Sequence, residues 1–257
     1  MSTPTLSIVL ATYNEAANIR RCLDAVAAIA SEIIIVDGNS TDATRKIAKD
    51  LGAKVYKTTN KPNFHINKQL AIDRAQSAWV LQLDADEVIT PPLSQEIINT
   101  IDDNPPENAF RIKRKNYFLG RFLKKGGQYP DPVIRLFRKG KAKLPQKDVH
   151  EQMLVAGSVG NLGEPMEHYT APTFERYLTN ANRYTSFTAG QLKDRHLTIN
   201  LSSTFLYFFV KPLSTFLLIY LRHKGFLDGF PGFVFALFSG LHHHLAYLKY
   251  WELTRSH

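Results

Sequence analysis

Short, mostly apolar runs alternate with helical patterns through the first third of the chain. The runs have the length of buried strands and lie at residues 6–11, 32–36, 53–56 and 79–83. The stretches between them repeat apolar side chains at helical spacing and lie at residues 16–29, 43–51 and 67–78. Alternating strands and helices form parallel pairs joined by crossovers, so the pattern predicts an α/β sheet with helices on both faces.

Polar clusters follow three of these strands, at residues 12–15, 37–42 and 84–87. Because ligands of such sheets bind at the carboxyl ends of the strands, we expect the clusters to meet in one site. Asp84 and Asp86 are two residues apart and share a face. Mg²⁺ and Mn²⁺ favour carboxylate oxygens together with substrate phosphates, so a metal-bound diphosphate suits this pair, although an isolated Asp-x-Asp is more often a solvated turn.

Glycine-rich phosphate loops do not occur in the sequence, which has neither a Walker motif nor Gly-x-Gly-x-x-Gly. The sequences SIVLATYNE at 7–15, VDGNSTD at 36–42 and LDADE at 83–87 instead resemble the three signatures of family 2 glycosyltransferases. VHE at 149–151, followed by HYT at 168–170, resembles the lipopolysaccharide core β-glucosyltransferase group of that family. The resemblance implies the GT-A fold, a Rossmann-like mixed sheet with helices on both faces.

The resemblance also implies a set of donor-binding residues. They are expected to hold the nucleotide-sugar and are Thr12, Asn14, Glu15, Asp37, Lys68, Asp84 and Asp86. In this assignment Asp37 accepts hydrogen bonds from the uracil ring, and Asp84 contacts the ribose or a metal-bound water. Asp86 and His168 ligate Mg²⁺ or Mn²⁺, with His150 as a weaker match than His168. Asn14, Thr12 and Asp42 are also residue types that cap helices or form Asx turns, so structural roles compete with these.

Transfer with inversion needs a general base that deprotonates the acceptor hydroxyl. Glu151 matches the acidic position that the family carries downstream, and Asp148 is the second choice. A salt bridge to a neighbouring cation is the structural alternative for Glu151.

Basic residues are concentrated between residues 105 and 150, a segment that contains 13 Lys and Arg but only three Asp and Glu. Its net charge is therefore as large as the +9 of the whole chain. Aromatic residues are interleaved with them, a pattern that fits anionic lipid head groups or phosphorylated sugars. A nucleic-acid partner is not expected, because no recognised nucleic-acid module accompanies the patch. Residues 129–138 predict a loop entering a strand. For Arg135 and Arg138 there, each taken alone, a surface ion pair is the expected role, and a pyrophosphate contact is the alternative for one of them.

The C-terminal third is helical and apolar. Residues 172–195 predict an amphipathic helix. The apolar stretches 201–221 and 226–248 are interrupted by Lys211-Pro212 and by Asp228 and Pro231, so we expect broken helices in a membrane interface rather than clean spans. Alternatively, these apolar helices are covered by an interface between copies of the chain in a homo-oligomer. These patterns predict a catalytic domain at 1–170 and a helical, membrane-associated tail at 171–257.

The lone Cys22 and the absence of a secretory pattern favour a reducing compartment. Together with the tail, this predicts peripheral or monotopic attachment to the cytoplasmic face of the inner membrane. The expected activity is inverting transfer of a sugar, first of all glucose, from a UDP-sugar to a hydroxyl of a lipopolysaccharide core or lipid-linked glycan. A polyprenyl-phosphate glycosyltransferase is the enzymatic alternative. A non-enzymatic membrane- or nucleic-acid-binding module is the third reading, against which Asp37, Asp84 and Asp86 argue.

Overall fold

The computed structural model describes residues 5–61, 63–145 and 152–255. The chain forms two compact units. The first comprises Met1–Arg114 and Asp131–His168, and the second comprises Lys115–Pro130 and Tyr169–His257. The expected boundary near residue 170 lies close to this division, except for one segment. Lys115–Pro130, which was assigned from the sequence to the catalytic domain, packs with the C-terminal unit.

Twelve strands and four helices lie between Leu6 and Ala171 in the described part of the chain. The strands are β1 Leu6–Thr12, β2 Glu32–Asp37, β3 Lys54–Lys57, β4 Trp79–Leu83, β5 Glu87–Val88, β6 Ala109–Phe118, β7 Arg121–Phe122, β8 Asp131–Arg138, β9 Ala142–Lys143, β10 Leu154–Val155, β11 Val159–Asn161 and β12 Met166–Ala171. The helices are α1 Ile19–Asp24, α2 Thr44–Asp50, α3 Phe64–Arg74 and α4 Pro91–Asp102.

The main sheet is mixed, with strand order β3-β2-β1-β4-β8-β6-β12-β5. Strand β1 runs parallel to β2 and β4, and β8 runs antiparallel to β4 and β6. In the β1–β2 register Thr12 lies opposite Asp37, so the first two polar clusters begin side by side. The predicted α/β class and mixed sheet are confirmed.

Both faces of the sheet are covered by apolar layers. Alternate residues of β1 enter opposite layers: Ile8 and Leu10 pack in one cluster, and Val9 packs in the other. Burial on both faces explains why β1 has a continuous apolar run instead of an alternating one. Helix α3 begins earlier than the expected residue 67, because the Asn63 side chain accepts from the backbone of His65 and caps the first turn.

The second unit is mainly helical. Its helices are α5 Phe174–Asp194, α6 Leu201–Phe205, α7 Lys211–Leu217 and α8 Gly229–Arg255. A π-helical turn, Leu206–Val210, joins α6 to α7, and a second, Leu218–Arg222, follows α7, so one continuous helix spans Leu201–Arg222. A 3₁₀ turn, Gly225–Asp228, leads into α8.

The breaks expected at the two prolines do not occur. Pro212 follows a π-helical turn, whose wider hydrogen-bonding pattern accommodates the missing N–H. Pro231 lies in the first turn of α8, where an N–H has no helical partner. Within the described residues, Leu201–Arg222 is the one helix long and apolar enough to cross a membrane by length and composition.

Candidate active site

A network of paired charges lies where β4 ends. The Asp84 carboxylate pairs with Lys68 of α3 and with Arg135 of β8, whose Nη2 is 2.8 Å from Asp84 Oδ2. Arg135 Nη2 is also 2.6 Å from Oε1 of Glu87. Arg114 Nη1 lies 3.7 Å from the same Oε1 of Glu87. Arg114 Nη2 is also 2.6 Å from Oδ2 of Asp131, so three carboxylates are paired with three cations of the chain itself.

Burial and pairing act against each other on these groups. Burial alone raises the pKa of Asp84, but the charges of Lys68 and Arg135 outweigh it and hold that pKa well below the usual carboxyl range. Burial by itself lowers the pKa of Arg135, but the charges of Glu87 and Asp84 outweigh burial and raise that pKa above the usual arginine value. Both groups therefore stay charged at neutral pH.

Arg135 corrects one interpretation made from the sequence, which favoured a surface ion pair for it. The residue is only 7% exposed and makes a buried double ion pair. A sequence signal did exist: a cation interrupts the apolar strand β8, next to Leu136 and Phe137. Arg138, by contrast, stacks on the Trp79 ring at 4.4 Å from its centroid.

The two expected metal ligands, Asp86 and His168, lie side by side although 82 residues separate them in sequence. Pairing of β12 with β5 places His168 opposite Glu87, and its Nε2 is 3.6 Å from Oδ2 of Asp86. The described residues contain no group of three or more His, Cys, Asp or Glu that would hold an ion. Two side-chain ligands fit a cation whose remaining positions are filled by diphosphate and water, but not an all-protein metal cage.

Asp37 is fully buried at the end of β2. Its Oδ2 accepts from Thr12 Oγ1 at 3.0 Å, and its Oδ1 accepts from the backbone N–H of Ser40 at 2.9 Å. The Ser40 hydroxyl also donates to Oδ2. These bonds hold the ends of β1 and β2 together, and the expected role of Asp37 in binding uracil stays a prediction.

Asn14 and Asp42 take the structural roles that were weighed against ligand binding. Asn14 has a left-handed backbone with φ of 54°, and its Oδ1 accepts from the N–H of Thr41 at 2.8 Å. Asp42 Oδ1 accepts from the N–H of Thr44 at 3.0 Å. The N–H of Glu15 donates to the Thr44 hydroxyl at 2.8 Å. The loops after β1 and β2 are therefore hydrogen-bonded to each other. These bonds place the donor-binding candidates of both loops together.

The proposed base Glu151, its alternative Asp148 and the histidine His150 lie outside the described residues. Their expected roles stay predictions. Arg114 and Glu87 were not singled out from the sequence as parts of this site. Glu87 stood next to the Asp-x-Asp motif, and only the pairing of β5, β6 and β8 in one sheet reveals its partners.

Comparison with known proteins agrees with this geometry. The model of the family described as glycosyl transferase family 2 matches residues 7–211. An uncharacterized glycosyltransferase of Rickettsia felis is 28% identical over 245 residues, covering 89% of this chain and 83% of the relative. A second, from Rickettsia typhi, is 28% identical over 265 residues, covering 97% and 87%.

Solved structures with a similar fold cover nearly the whole chain. The mannosyltransferase PcManGT of Pyrobaculum calidifontis, in complex with GDP-Man and Mn²⁺, has a TM-score of 0.57 at 13% identity, over 98% of this chain and 88% of that one. Residues 1–349 of TarS from S. aureus, in complex with UDP, have a TM-score of 0.51 at 16% identity, over 96% and 88%. At such identities the likeness shows the fold, and the expected GT-A fold is confirmed.

Proposed function

Because this chain belongs to glycosyl transferase family 2, we propose that it transfers a sugar, with glucose as the first expectation, from a UDP-sugar to a hydroxyl of a lipopolysaccharide core or lipid-linked glycan. Family membership makes it a nucleotide-sugar-dependent glycosyltransferase. The observation that carries the proposal is the pair of Asp86 and His168, 3.6 Å apart beside the paired charges of Asp84. Inversion at the anomeric carbon is part of the proposal.

Asp86 and His168 would hold a divalent cation, Mg²⁺ or Mn²⁺. The oxygen and nitrogen of these two side chains are ligands that such cations accept, and both side chains are partly exposed, at 25% and 13%. When bound, the cation supplies positive charge that stabilises the departing diphosphate. The complex of the similarly folded mannosyltransferase with GDP-Man and Mn²⁺ supports this assignment.

The remaining residues of the chain position the donor and move one proton. Lys68 and Arg135 keep Asp84 ionised and orient it as a hydrogen-bond acceptor, which suits a ribose hydroxyl or a bound water. The hydrogen-bonded loops after β1 and β2 would form the nucleotide pocket. Glu151 would take the proton from the acceptor hydroxyl as that oxygen attacks the anomeric carbon.

The basic segment supports a phosphorylated acceptor, since lipopolysaccharide cores and lipid-linked glycans carry phosphate. We also propose that the protein works at the cytoplasmic face of the inner membrane, where such acceptors are assembled. A polyprenyl phosphate would be the acceptor in the alternative reaction, and its phosphate oxygen needs no strong base.

Release of UDP from a panel of UDP-sugars, measured with Mn²⁺ or Mg²⁺ and with or without a lipid-linked acceptor extract, tests the proposal. We expect release from one donor that depends on the metal and is stimulated by acceptor. Asp86→Ala should lower the rate by about 10³-fold, because several kcal/mol of charge stabilisation is lost with the cation. Asp50→Ala, which removes an exposed carboxylate at the end of α2, is the matched control and should leave the rate unchanged.

The acceptor class is tested by Glu151→Gln. Turnover that falls by orders of magnitude while UDP binding is retained supports a hydroxyl acceptor, and a near-normal rate contradicts it in favour of a phosphate acceptor. Absence of UDP binding by the wild-type chain under every metal condition would overturn the enzymatic assignment as a whole.

A further inference from the structure

The helix Leu201–Arg222 presents one apolar side to its surroundings. Six of its exposed large residues recur every four positions and form what we call the outer stripe: Leu201, Phe205, Phe209, Leu213, Leu217 and Leu221. Beside the stripe, Leu206, Val210 and Leu218 are also exposed. Phe209 is 62% exposed and Leu213 59%. The opposite side is packed, with Tyr207 and Pro212 buried. Such a one-sided apolar surface needs a cover, because soluble proteins rarely expose apolar patches of this extent.

The two π-helical turns explain why the outer stripe stays on one side. In a regular α-helix a repeat of four residues exceeds the turn of 3.6 and drifts around the axis. A π-helical turn contains more residues than an α-helical one, so Leu206–Val210 and Leu218–Arg222 compensate the drift. The helix is therefore built to keep a straight apolar line over its full length of about 33 Å.

Helix α8 adds a second exposed apolar line. Phe230 is 72% exposed, and Phe233, Leu237 and Leu248 are also exposed along the helix. The two helices pack closely because Gly240 lies against the backbone of Pro212, where a Cβ would stand 2.7 Å from a carbonyl oxygen. Together they form an antiparallel hairpin, connected by the turn that contains Lys224 and Asp228.

Basic residues surround that turn. Five exposed cations, which we call the basic cluster, come from two separate segments: Arg121, Lys124, Lys125, Arg222 and Lys224. None of the five forms an ion pair within the part of the chain that the structure describes. Phe226 and Leu227 are exposed beside them, so charge and apolar surface adjoin.

Asp228 fastens the two segments of the basic cluster to each other. Its buried carboxylate accepts from the backbone N–H groups of Lys124 and Lys125, at 3.1 and 2.8 Å. The N–H of Gly126 donates to the carbonyl of His223 at 2.9 Å. The backbone N–H groups of the two lysines are thus hydrogen-bonded within the fold, while their side chains are exposed to solvent.

From this arrangement we propose that the outer stripe and the basic cluster form a docking surface for an anionic phospholipid bilayer, on which the Leu201–Arg222 helix lies in the interface without crossing it. The cations match the charge of phosphate head groups, and the apolar stripe enters the acyl boundary beside them. This attachment goes beyond the proposed sugar transfer and does not depend on it.

Length alone would permit a crossing, since the hydrocarbon core is about 30 Å thick. At the start of the helix, Ser203 and Thr204 hydrogen-bond the Tyr247 hydroxyl of α8, so the two helices would have to cross together. The contacts at the other end argue against such a crossing. At that end, the turn is fastened to residues 124–126, which directly follow the β6–β7 hairpin. If the helix crossed the bilayer, the five cations and the backbone of the attached β6–β7 hairpin would have to pass through the hydrocarbon core. Charged side chains and open strand backbone are both strongly disfavoured there.

Flotation with phospholipid vesicles tests the surface directly. We expect the wild-type chain to bind vesicles of equimolar phosphatidylcholine and phosphatidylglycerol, and to bind pure phosphatidylcholine far more weakly. The double variant Lys124→Glu/Lys125→Glu should bind the anionic vesicles at least 25-fold less, at about fivefold for each lost cation. Its matched control is Lys46→Glu/Lys49→Glu on α2, which makes the same change of charge at exposed lysines elsewhere and should keep wild-type binding.

The apolar part is tested by Phe209→Ser/Leu213→Ser, with Leu154→Ser as a control at an exposed leucine of the first unit. The stripe variant should lose binding, and the control should not. Unfolding temperatures and UDP binding establish that each variant is folded. Equal binding by wild type and both test variants would overturn the proposal. So would a lipid-independent oligomer that the stripe variant dissociates, because the stripe would then join copies of this chain.

Depth decides between lying in the interface and crossing it. A fluorophore on Ser202→Cys, Phe209→Cys or Leu217→Cys reports depth through brominated lipids, against a background in which Cys22 is buried. Equal, shallow quenching at the three positions supports the interfacial helix. Maximal quenching from the bilayer centre at residue 209 alone would contradict it and indicate a spanning helix.

Discussion

The two compact units treat charge and apolar surface in opposite ways. Of the 25 large hydrophobic residues exposed in the described part of the chain, three lie in the first unit, namely Tyr13, Tyr56 and Leu154, and 22 lie in the second. The first unit instead buries three charged side chains, Asp37, Glu87 and Arg135, whereas the second buries one, Asp228. A small polar ligand is recognised by preorganised, paired charges, whereas a bilayer is recognised by area and by cations at its edge. The contrast between the two units fits the proposal of a nucleotide-sugar site in the first and a bilayer-docking surface in the second.

The largest effect is expected in the buried charges of the first unit. Arg135→Met leaves Asp84 and Glu87 without their shared cation, and removing one partner of a buried pair costs about 3–5 kcal/mol of unfolding free energy. Urea denaturation measures the loss. Arg20→Met, at an exposed arginine of α1, should stay within about 0.5 kcal/mol of wild type. Equal stability of the two variants would show that the first unit does not depend on its internal charges.

Much of the first unit was accessible from the sequence, because period and spacing are local signals. The strands at 79–83 and 32–36 and the polar clusters behind them were predicted from apolar runs and turn residues. The pairing of Asp86 with His168 came from resemblance to a family. No local pattern connects Asp86, in the turn before β5, with His168 on β12, which only the sheet order brings together.

What the sequence did not show follows from packing. An arginine in a strand is usually exposed, and the burial of Arg135 depends on acids from two other segments. The prolines at 212 and 231 predicted breaks by their missing N–H groups, yet a π-helical turn and a first helical turn accommodate them. The segment Lys115–Pro130 joins the second unit through Asp228, a contact more than a hundred residues away in sequence.

An intermediate effect is expected at the helix contact of the second unit. Gly240→Ala places a Cβ 2.7 Å from the Pro212 carbonyl oxygen, so the two helices must separate, which costs about 1–3 kcal/mol. Gly190→Ala on α5 meets nothing within 4 Å and should stabilise the protein by roughly 0.5–1 kcal/mol. Thermal unfolding of the pair compares them. A gain of stability in both variants would mean that the hairpin tolerates separation.

The smallest effect is a dependence of stability on pH that originates in the first unit. The folded pKa of Asp84 lies well below its usual value of about 3.9, so the unfolded chain binds the proton first as the pH falls. The stabilisation from this group is complete above about pH 5 and decreases by roughly 1 kcal/mol by pH 3. Asp84→Asn lacks this contribution to stability, while Glu32 and Asp42, whose pKa values are also lowered, titrate alike in both proteins. Urea denaturation between these pH values should therefore give a steeper loss for wild type than for the variant, and parallel curves would show that Lys68 and Arg135 do not hold Asp84 in its charged form.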